Sequence, residues 1–212
     1  MSLAKLSLLL LLAVIDSTAA SSAEECQTLA KKLDSKNLDK IYGEWVLVWS
    51  VSDDVGHDLL KNVTNSQLVL KLLNDSTIEY IEKNTLTNGC YTFNAIMTIP
   101  SDDAENSTMT HHSTRYEKDG VVQELNETAH SVFYESCSDC LLMTYKSPTY
   151  NFLLSYRKKG SHQDLEQHKA AHDDHKKLAE CLGLPHDKPY IYDGVSDSCQ
   201  NKAAPAANLE QA

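Results

Sequence analysis

Residues 41–51 read I-Y-G-E-W-V-L-V-W-S-V, and strict alternation puts Trp45, Leu47 and Trp49 on one strand face with Val46 and Val48 on the other. Both faces are apolar, so this strand is expected to be covered twice, by a helix outside and by a core or cavity inside. Residues 67–73 repeat the period, with Leu68, Leu70 and Leu72 on one face and Lys71 on the other. Asn74-Asp75-Ser76 is turn chemistry, and residues 77–83 make the return. Asn88-Gly89 then turns the chain into a run in which Tyr91, Phe93, Ala95, Met97 and Ile99 alternate with polar positions. Residues 109–117, 121–125, 129–135, 141–145 and 151–157 complete a set of eight or nine short strands. Short strands divided by regular turn signals predict an all-β barrel or sandwich.

Helical signals are confined to the two ends of this set. Leu29, Leu33 and Leu38 recur through residues 24–38 and predict a short helical lead-in. Residues 163–182 predict one amphipathic helix, capped at Ser161 with Asp164 near its first amides and stopped by Gly183 and Pro185. Ala171, Leu178 and Leu182 form its modest apolar stripe, which suits a helix lying on one side of a sheet. At the N-terminus, Lys5 precedes the apolar stretch 6–15 and the small residues Ser17-Thr18-Ala19-Ala20. That is the layout of a secretory signal peptide, too short to span a bilayer, with cleavage expected after Ala20. Residues 1–20 are therefore read as a leader, 21–200 as one domain, and the Ala-rich polar stretch 201–212 as a disordered tail.

The charge balance narrows the partners. Acidic residues number 30 against 19 Lys and Arg, a net charge of −11, which disfavours binding to a phosphate backbone. No apolar run after Ile15 is long enough for membrane insertion. Six cysteines, Cys26, Cys90, Cys137, Cys140, Cys181 and Cys199, allow up to three disulfides in an exported chain, with fifteen pairings open. Cys137 and Cys140 flank the turn-like pair Ser138-Asp139, so a hairpin would bring their sulfurs together in a local bridge. Sequons stand at Asn62, Asn74, Asn106 and Asn126, and glycans there require exposed loops or strand edges.

Enzyme readings find no support. The chain has no G-x-S-x-G, no glycine-rich phosphate loop and no H-E-x-x-H, and no cofactor is expected. His168, His172 and His175 lie on adjacent turns of the late helix, where a solvated edge is the ordinary explanation, so no metal is expected. His111 and His112 are adjacent in a strand and face opposite ways, leaving at most one ring for an interior.

Gly43-Glu44-Trp45, after the helical lead-in, resembles the G-x-W motif that opens the barrel of the lipocalin family. Ser138-Asp139-Cys140 stands where that family carries T-D-Y, without the Tyr, and Arg157 matches its Arg at the end of the eighth strand. The resemblance implies an eight-stranded antiparallel up-and-down barrel with one C-terminal helix outside, and Arg157 lying over Trp45 in a cation–π contact. Within the family the chain is most similar to the orosomucoid (alpha-1-acid glycoprotein) type and its fish relatives that bind tributyltin or saxitoxin and tetrodotoxin. Residues 38–45, Gly89-Cys90-Tyr91, the segment 181–185, Tyr190-Ile191-Tyr192-Asp193 and Cys199 carry that likeness. It implies the bridges Cys26–Cys181 and Cys90–Cys199, the first closing a loop worth on the order of 5 kcal/mol in the chain-entropy model.

A barrel of eight strands can hold one small ligand. Alternation makes Trp49, Leu68, Leu70 and Leu72 candidates for its inside, then Tyr91, Phe93 and Met97, and later Phe133 and Leu142. Tyr80 and Tyr145 would add hydroxyls to the lining. The expected protein is a monomeric secreted carrier that sequesters a lipophilic, basic or cationic molecule, a tributyltin-like or guanidinium toxicant being the type the resemblance implies. The alternative is an acute-phase or immunomodulatory glycoprotein acting through its surface and glycans.

Overall fold

The computed structural model describes residues 21–100 and 108–195. The leader, Asn106, Cys199 with its pairing to Cys90, and the tail lie outside the described residues. The chain starts with helix α1 (Ala23–Leu29), capped by Ser22, whose hydroxyl accepts from the Glu25 amide at 3.1 Å. A 3-10 turn (Ser35–Ile41) follows and buries Leu38 and Ile41 beneath the barrel. There the Trp45 indole donates to the Ile41 carbonyl at 2.8 Å, so the G-x-W tryptophan is pinned to the plug that closes this end.

The wall is built from β1 (Gly43–Ser52), helix α2 (Asp54–Leu60) as a flap after it, β2 (Val63–Asn74), β3 (Thr77–Leu86), β4 (Gly89–Thr98), β5 (Thr108–Lys118), β6 (Val121–Leu125), β7 (Ala129–Tyr134), β8 (Cys140–Lys146) and β9 (Asn151–Lys158). All neighbours are antiparallel, and β9 returns to pair with β1 from Trp45↔Lys158 to Ser52↔Phe152, which closes the sheet. β6 and β7 both pair with β5, the first along Thr114–Lys118 and the second along Thr108–His111. They are two halves of one wall strand, so the barrel has eight positions. β2 covers only Gly43–Val46 of β1; further along the same edge, β10 (Tyr190–Ile191) pairs with Trp49 and Ser50 from outside.

Four placements differ from the sequence expectation. In β1 the pairing with β9 slips between Leu47 and Trp49, a β-bulge that spends one extra residue. Trp45 and Leu47 face the interior, but beyond the bulge Trp49 and Val51 face outward, against Leu178 and Ala179. Trp49 is therefore not a lumen residue. Leu142 likewise points out, packing with Trp49, while Leu141 and Met143 point in, and Leu72 is exposed beside the β2–β3 turn. Arg157 is outward on β9, opposite Val46, and its guanidinium donates to Cys137 Sγ at 3.2 Å instead of covering the inward-facing Trp45.

The late helix is two helices, α3 (Leu165–Ala170) and α4 (His172–Cys181). Its cap is Asp164, accepting from the Gln167 amide at 3.1 Å, whereas Ser161 donates to Asp139. The break at Ala171 lets α3 turn His168 inward, where its Nε2 meets the His162 carbonyl at 2.7 Å, while α4 turns Leu178 and Ala179 onto the barrel. Gly183, at φ +69, ends α4, with the Gly183 amide on the Glu180 carbonyl and the Leu184 amide on the Ala179 carbonyl. Leu184 then packs with Leu178, the hydrophobic contact that accompanies this stop. Cys26–Cys181 joins α1 to the end of α4, and Cys137–Cys140 bridges the turn before β8.

Candidate functional site

Alternation along β3 sends Ile78, Tyr80, Glu82 and Asn84 to the interior in succession. β4 adds Tyr91 and Phe93, β5 adds Tyr116, and β8 and β9 add Tyr145 and Phe152. These side chains bound a chamber of about 400 Å³ at the end where α2 contributes Leu59 and Leu60 and the β8–β9 turn contributes Thr149 and Tyr150. The size suits one small organic molecule. Edge-on packing holds the walls: Phe93 lies 6.0 Å from Tyr80 and 6.1 Å from Tyr145, both near perpendicular.

Glu82 is the chemically distinctive residue. Its Oε1 accepts from Ser66 at 3.0 Å and its Oε2 from the Tyr80 hydroxyl at 2.9 Å. Burial pushes its carboxyl above the ordinary range, while hydrogen bonds from Tyr80, Ser66 and Asn84 pull it back. Its remaining exposed surface faces the chamber. Burial also raises the hydroxyls of Tyr80, Tyr91 and Tyr145, which stay protonated as neutral donors and acceptors. Glu127 adds a second carboxylate to the lining, and no Lys, Arg or His lines the chamber among the described residues.

Of the residues expected at the ligand, Tyr80, Tyr91, Phe93 and Tyr145 line this chamber. Leu70, Met97 and Phe133 face inward but lie in the packed core below it, and Trp49 lies outside the wall. Glu82, Asn84, Tyr116, Glu127, Tyr150 and Phe152 line the chamber in addition to the residues expected from the sequence. The signal for Glu82 and Asn84 was present: they continue the Tyr80 face at steps of two. Between the two histidines, His111 is the inward one, its ring 5.3 Å from Tyr80 and its Nε2 2.7 Å from Ser131 Oγ. Burial, then the charges of His130 and His112, lower its pKa to about 3, so it is neutral at physiological pH. No three metal-ligating side chains converge among the described residues.

Outside the barrel His175 stacks 5.1 Å from Trp49 and meets Ser155 Oγ at 3.1 Å. Burial lowers its pKa to about 4, helped by the nearby charges of His172, Arg157 and His168. The folded protein thus holds this proton less tightly than the unfolded chain. The stability it contributes is present above an unfolded pKa of about 6.5 and is lost as pH falls towards 4, with His111 adding in the same sense. Urea midpoints are expected to fall between pH 7 and pH 5, and the His175→Gln variant to show a smaller drop. An equal drop in that variant would remove His175 as the cause.

The closed ring of eight antiparallel strand positions, the 3-10 plug under it and the helix beside it match solved structures of one kind. The fold is that of the lipocalins. Lipocalin 12 from rat epididymis superposes with a TM-score of 0.57 at 13% identity, over 77% of this chain and 88% of that one. A biogenic amine-binding protein gives 0.54 at 13% identity, over 76% and 84%. The siderocalin Ex-FABP gives 0.52 at 13% identity, over 72% and 93%. In sequence, the chain is 41% identical over 197 residues to each of the saxitoxin and tetrodotoxin-binding proteins 1 and 2 of Takifugu pardalis, a match covering 92% of it. The chain spans about half the length of these curated relatives, 50% in each case. No family model matches.

Proposed function

We propose that this protein is an extracellular carrier that sequesters a small lipophilic cation, of ammonium or guanidinium type, in the chamber above the lipocalin core. One observation carries the reading: the lining combines aromatic surface with Glu82 and Glu127 and, among the described residues, contains no positively charged side chain. Desolvating a cation is costly, and a preformed carboxylate held by three hydrogen bonds offsets that cost where water is excluded. Tyrosine faces add cation–π attraction for the same charge. No bond needs to form or break; burial of the guest's apolar part supplies affinity and the carboxylates select charge. The similarity to proteins named for binding saxitoxin and tetrodotoxin supports a small-molecule guest, and the motif likeness supports an orosomucoid-type carrier.

Export is read from the leader at 1–20, the disulfides and the sequons, with a body fluid such as plasma as the working compartment. Asn74, at the exposed end of β2, and Asn126, on the exposed link between β6 and β7, are the glycan acceptors this reading favours; Asn62 is partly covered and donates to the Asp58 carbonyl at 2.9 Å.

Calorimetric titration with three matched probes tests the charge selection: 2-phenylethylammonium, the neutral 2-phenylethanol and the anionic 3-phenylpropionate. One-to-one binding is expected, with the cation favoured over the neutral probe by at least roughly tenfold, a difference of about 1.4 kcal/mol. Equal affinity for the anion would overturn the reading.

A further inference from the structure

Cys137 and Cys140 are bridged in the turn before β8, at the end of the barrel opposite the chamber. Cys137 is exposed, Cys140 is partly so, and their sequence separation is only 3. Closing so short a loop removes little entropy from the unfolded chain, whereas Cys26–Cys181, with a separation of 155, removes far more. Of these two bridges, the short one is the less protected by folding. The turn also holds the two cysteines together by other means. The Cys140 amide donates to the Cys137 carbonyl at 3.0 Å and Ser136 Oγ to the Cys140 carbonyl at 3.0 Å, while the Lys158 amide donates to the Asp139 carbonyl at 2.9 Å. With the bridge open, these bonds keep the sulfurs adjacent, so it can close again without a search.

A cation stands at one of the two sulfurs. Arg157 lies opposite Cys140 in the β8–β9 ladder, and its Nη1 donates to Cys137 Sγ at 3.2 Å. Arg157 is in none of the ion pairs among the described residues. The carboxylates of the turn are engaged elsewhere, Glu135 with Lys31 at 2.9 Å and Asp139 Oδ2 with Ser161 Oγ at 3.3 Å. From α4, His175 adds no charge at neutral pH, since burial lowers its pKa to about 4. A guanidinium held at a sulfur favours the thiolate over the thiol. Cys137 is thereby the better leaving sulfur of the pair, and a more acidic leaving thiol speeds thiol–disulfide exchange.

We propose that Cys137–Cys140 is an exchange site for low-molecular-weight thiols of the glutathione or cysteine class, with Arg157 receiving the Cys137 thiolate. The incoming thiol loses its proton to solvent and its thiolate attacks Cys140 Sγ. A new S–S bond forms there as the Cys137–Cys140 bond breaks, and Cys137 leaves with the electron pair. One disulfide replaces another, so no separate oxidant or reductant is consumed. Attack by Cys137 on the mixed disulfide re-forms the bridge and releases the thiol, which makes the loading reversible. The site is independent of the chamber and of the carrier reading.

The test incubates the native protein with reduced glutathione at pH 7, quenches samples with excess N-ethylmaleimide, and maps the cysteine peptides by mass spectrometry. At the earliest times glutathione is expected on Cys140 and maleimide on Cys137, with Cys26–Cys181 intact. Arg157→Gln should slow the exchange roughly fivefold, and Arg157→Lys should keep most of the rate. In Cys140→Ser, which leaves Cys137 a single thiol, alkylation rates against pH should place its pKa below the ordinary value of about 8.5, and adding Arg157→Gln should return it there. Glutathione arriving first on Cys137, opening of Cys26–Cys181 as fast as that of the turn, or a wild-type rate unchanged in Arg157→Gln would each overturn the proposal.

Discussion

Replacing Glu82 by Gln is expected to weaken a cationic guest by roughly 100-fold, about 2.7 kcal/mol, while leaving the unliganded protein at least as stable as the wild type. The two effects have one origin. Glu82 sits inside the barrel wall, where burial disfavours its charged form and lifts its pKa, and Ser66, Tyr80 and Asn84 recover only part of that cost. A carboxyl whose folded pKa is raised binds its proton more tightly folded than unfolded. The penalty is therefore present above an unfolded pKa of about 4.3 and disappears as pH falls below it. Once ionised, Glu82 is a destabilising charge in the empty protein that a guest cation compensates, and Gln removes both the penalty and the compensation. Calorimetry with 2-phenylethylammonium measures the first effect and urea denaturation at pH 7 the second. Unchanged affinity would displace Glu82 as the anchor. A variant that binds weakly because it is less stable would make Glu82 a structural residue instead.

Most of the fold was legible because alternation reports which side of a wall a residue faces, and turn residues report where the wall reverses. The same period is silent on depth. Leu70, Met97 and Phe133 face inward as their alternation implies, but they fill the closed half of the barrel, while Tyr80, Tyr91, Phe93 and Tyr145 lie at the level of the chamber. Period counting also fails wherever one residue is added. The bulge after Leu47 reverses the facing of Trp49 without any residue in 41–51 departing from a strand pattern. Tyr150 and Glu127 lie outside the strands, so no period could place them. The division of the late helix is hidden for a related reason: Ala171 is a good helix former, and the break there goes with the tertiary contacts of His168 and Leu178 rather than with local propensity. Glu82 is a different case: its facing is readable from the alternation, and what the period does not report is that a charged side chain belongs in a mainly apolar lining.

The bulge makes its own prediction, and its size is set by packing. Trp49→Ala is expected to lower the unfolding free energy by about 3–5 kcal/mol, the cost of emptying a large buried aromatic site. Trp49 is fully buried between the outer face of the barrel and α4, among Leu153, Leu178 and Leu142, with His175 against its ring. Its removal loosens the contact that docks α4, and with it the segment tied to α1 through Cys26–Cys181. It does not touch the chamber, so in the fraction that stays folded the affinity for 2-phenylethylammonium should remain within about twofold of wild type. Phe93→Ala should behave in the opposite way. Phe93 is partly exposed to the chamber and braces Tyr80 and Tyr145, so its loss removes guest contact and wall support together, and roughly tenfold weaker binding is expected from a protein that still folds. Urea denaturation and calorimetry on the two variants, at a temperature where both are folded, place each on its side of the wall. A folded Trp49→Ala protein that loses affinity as Phe93→Ala does would mean that the tryptophan reaches the guest after all, and that β1 runs without its bulge.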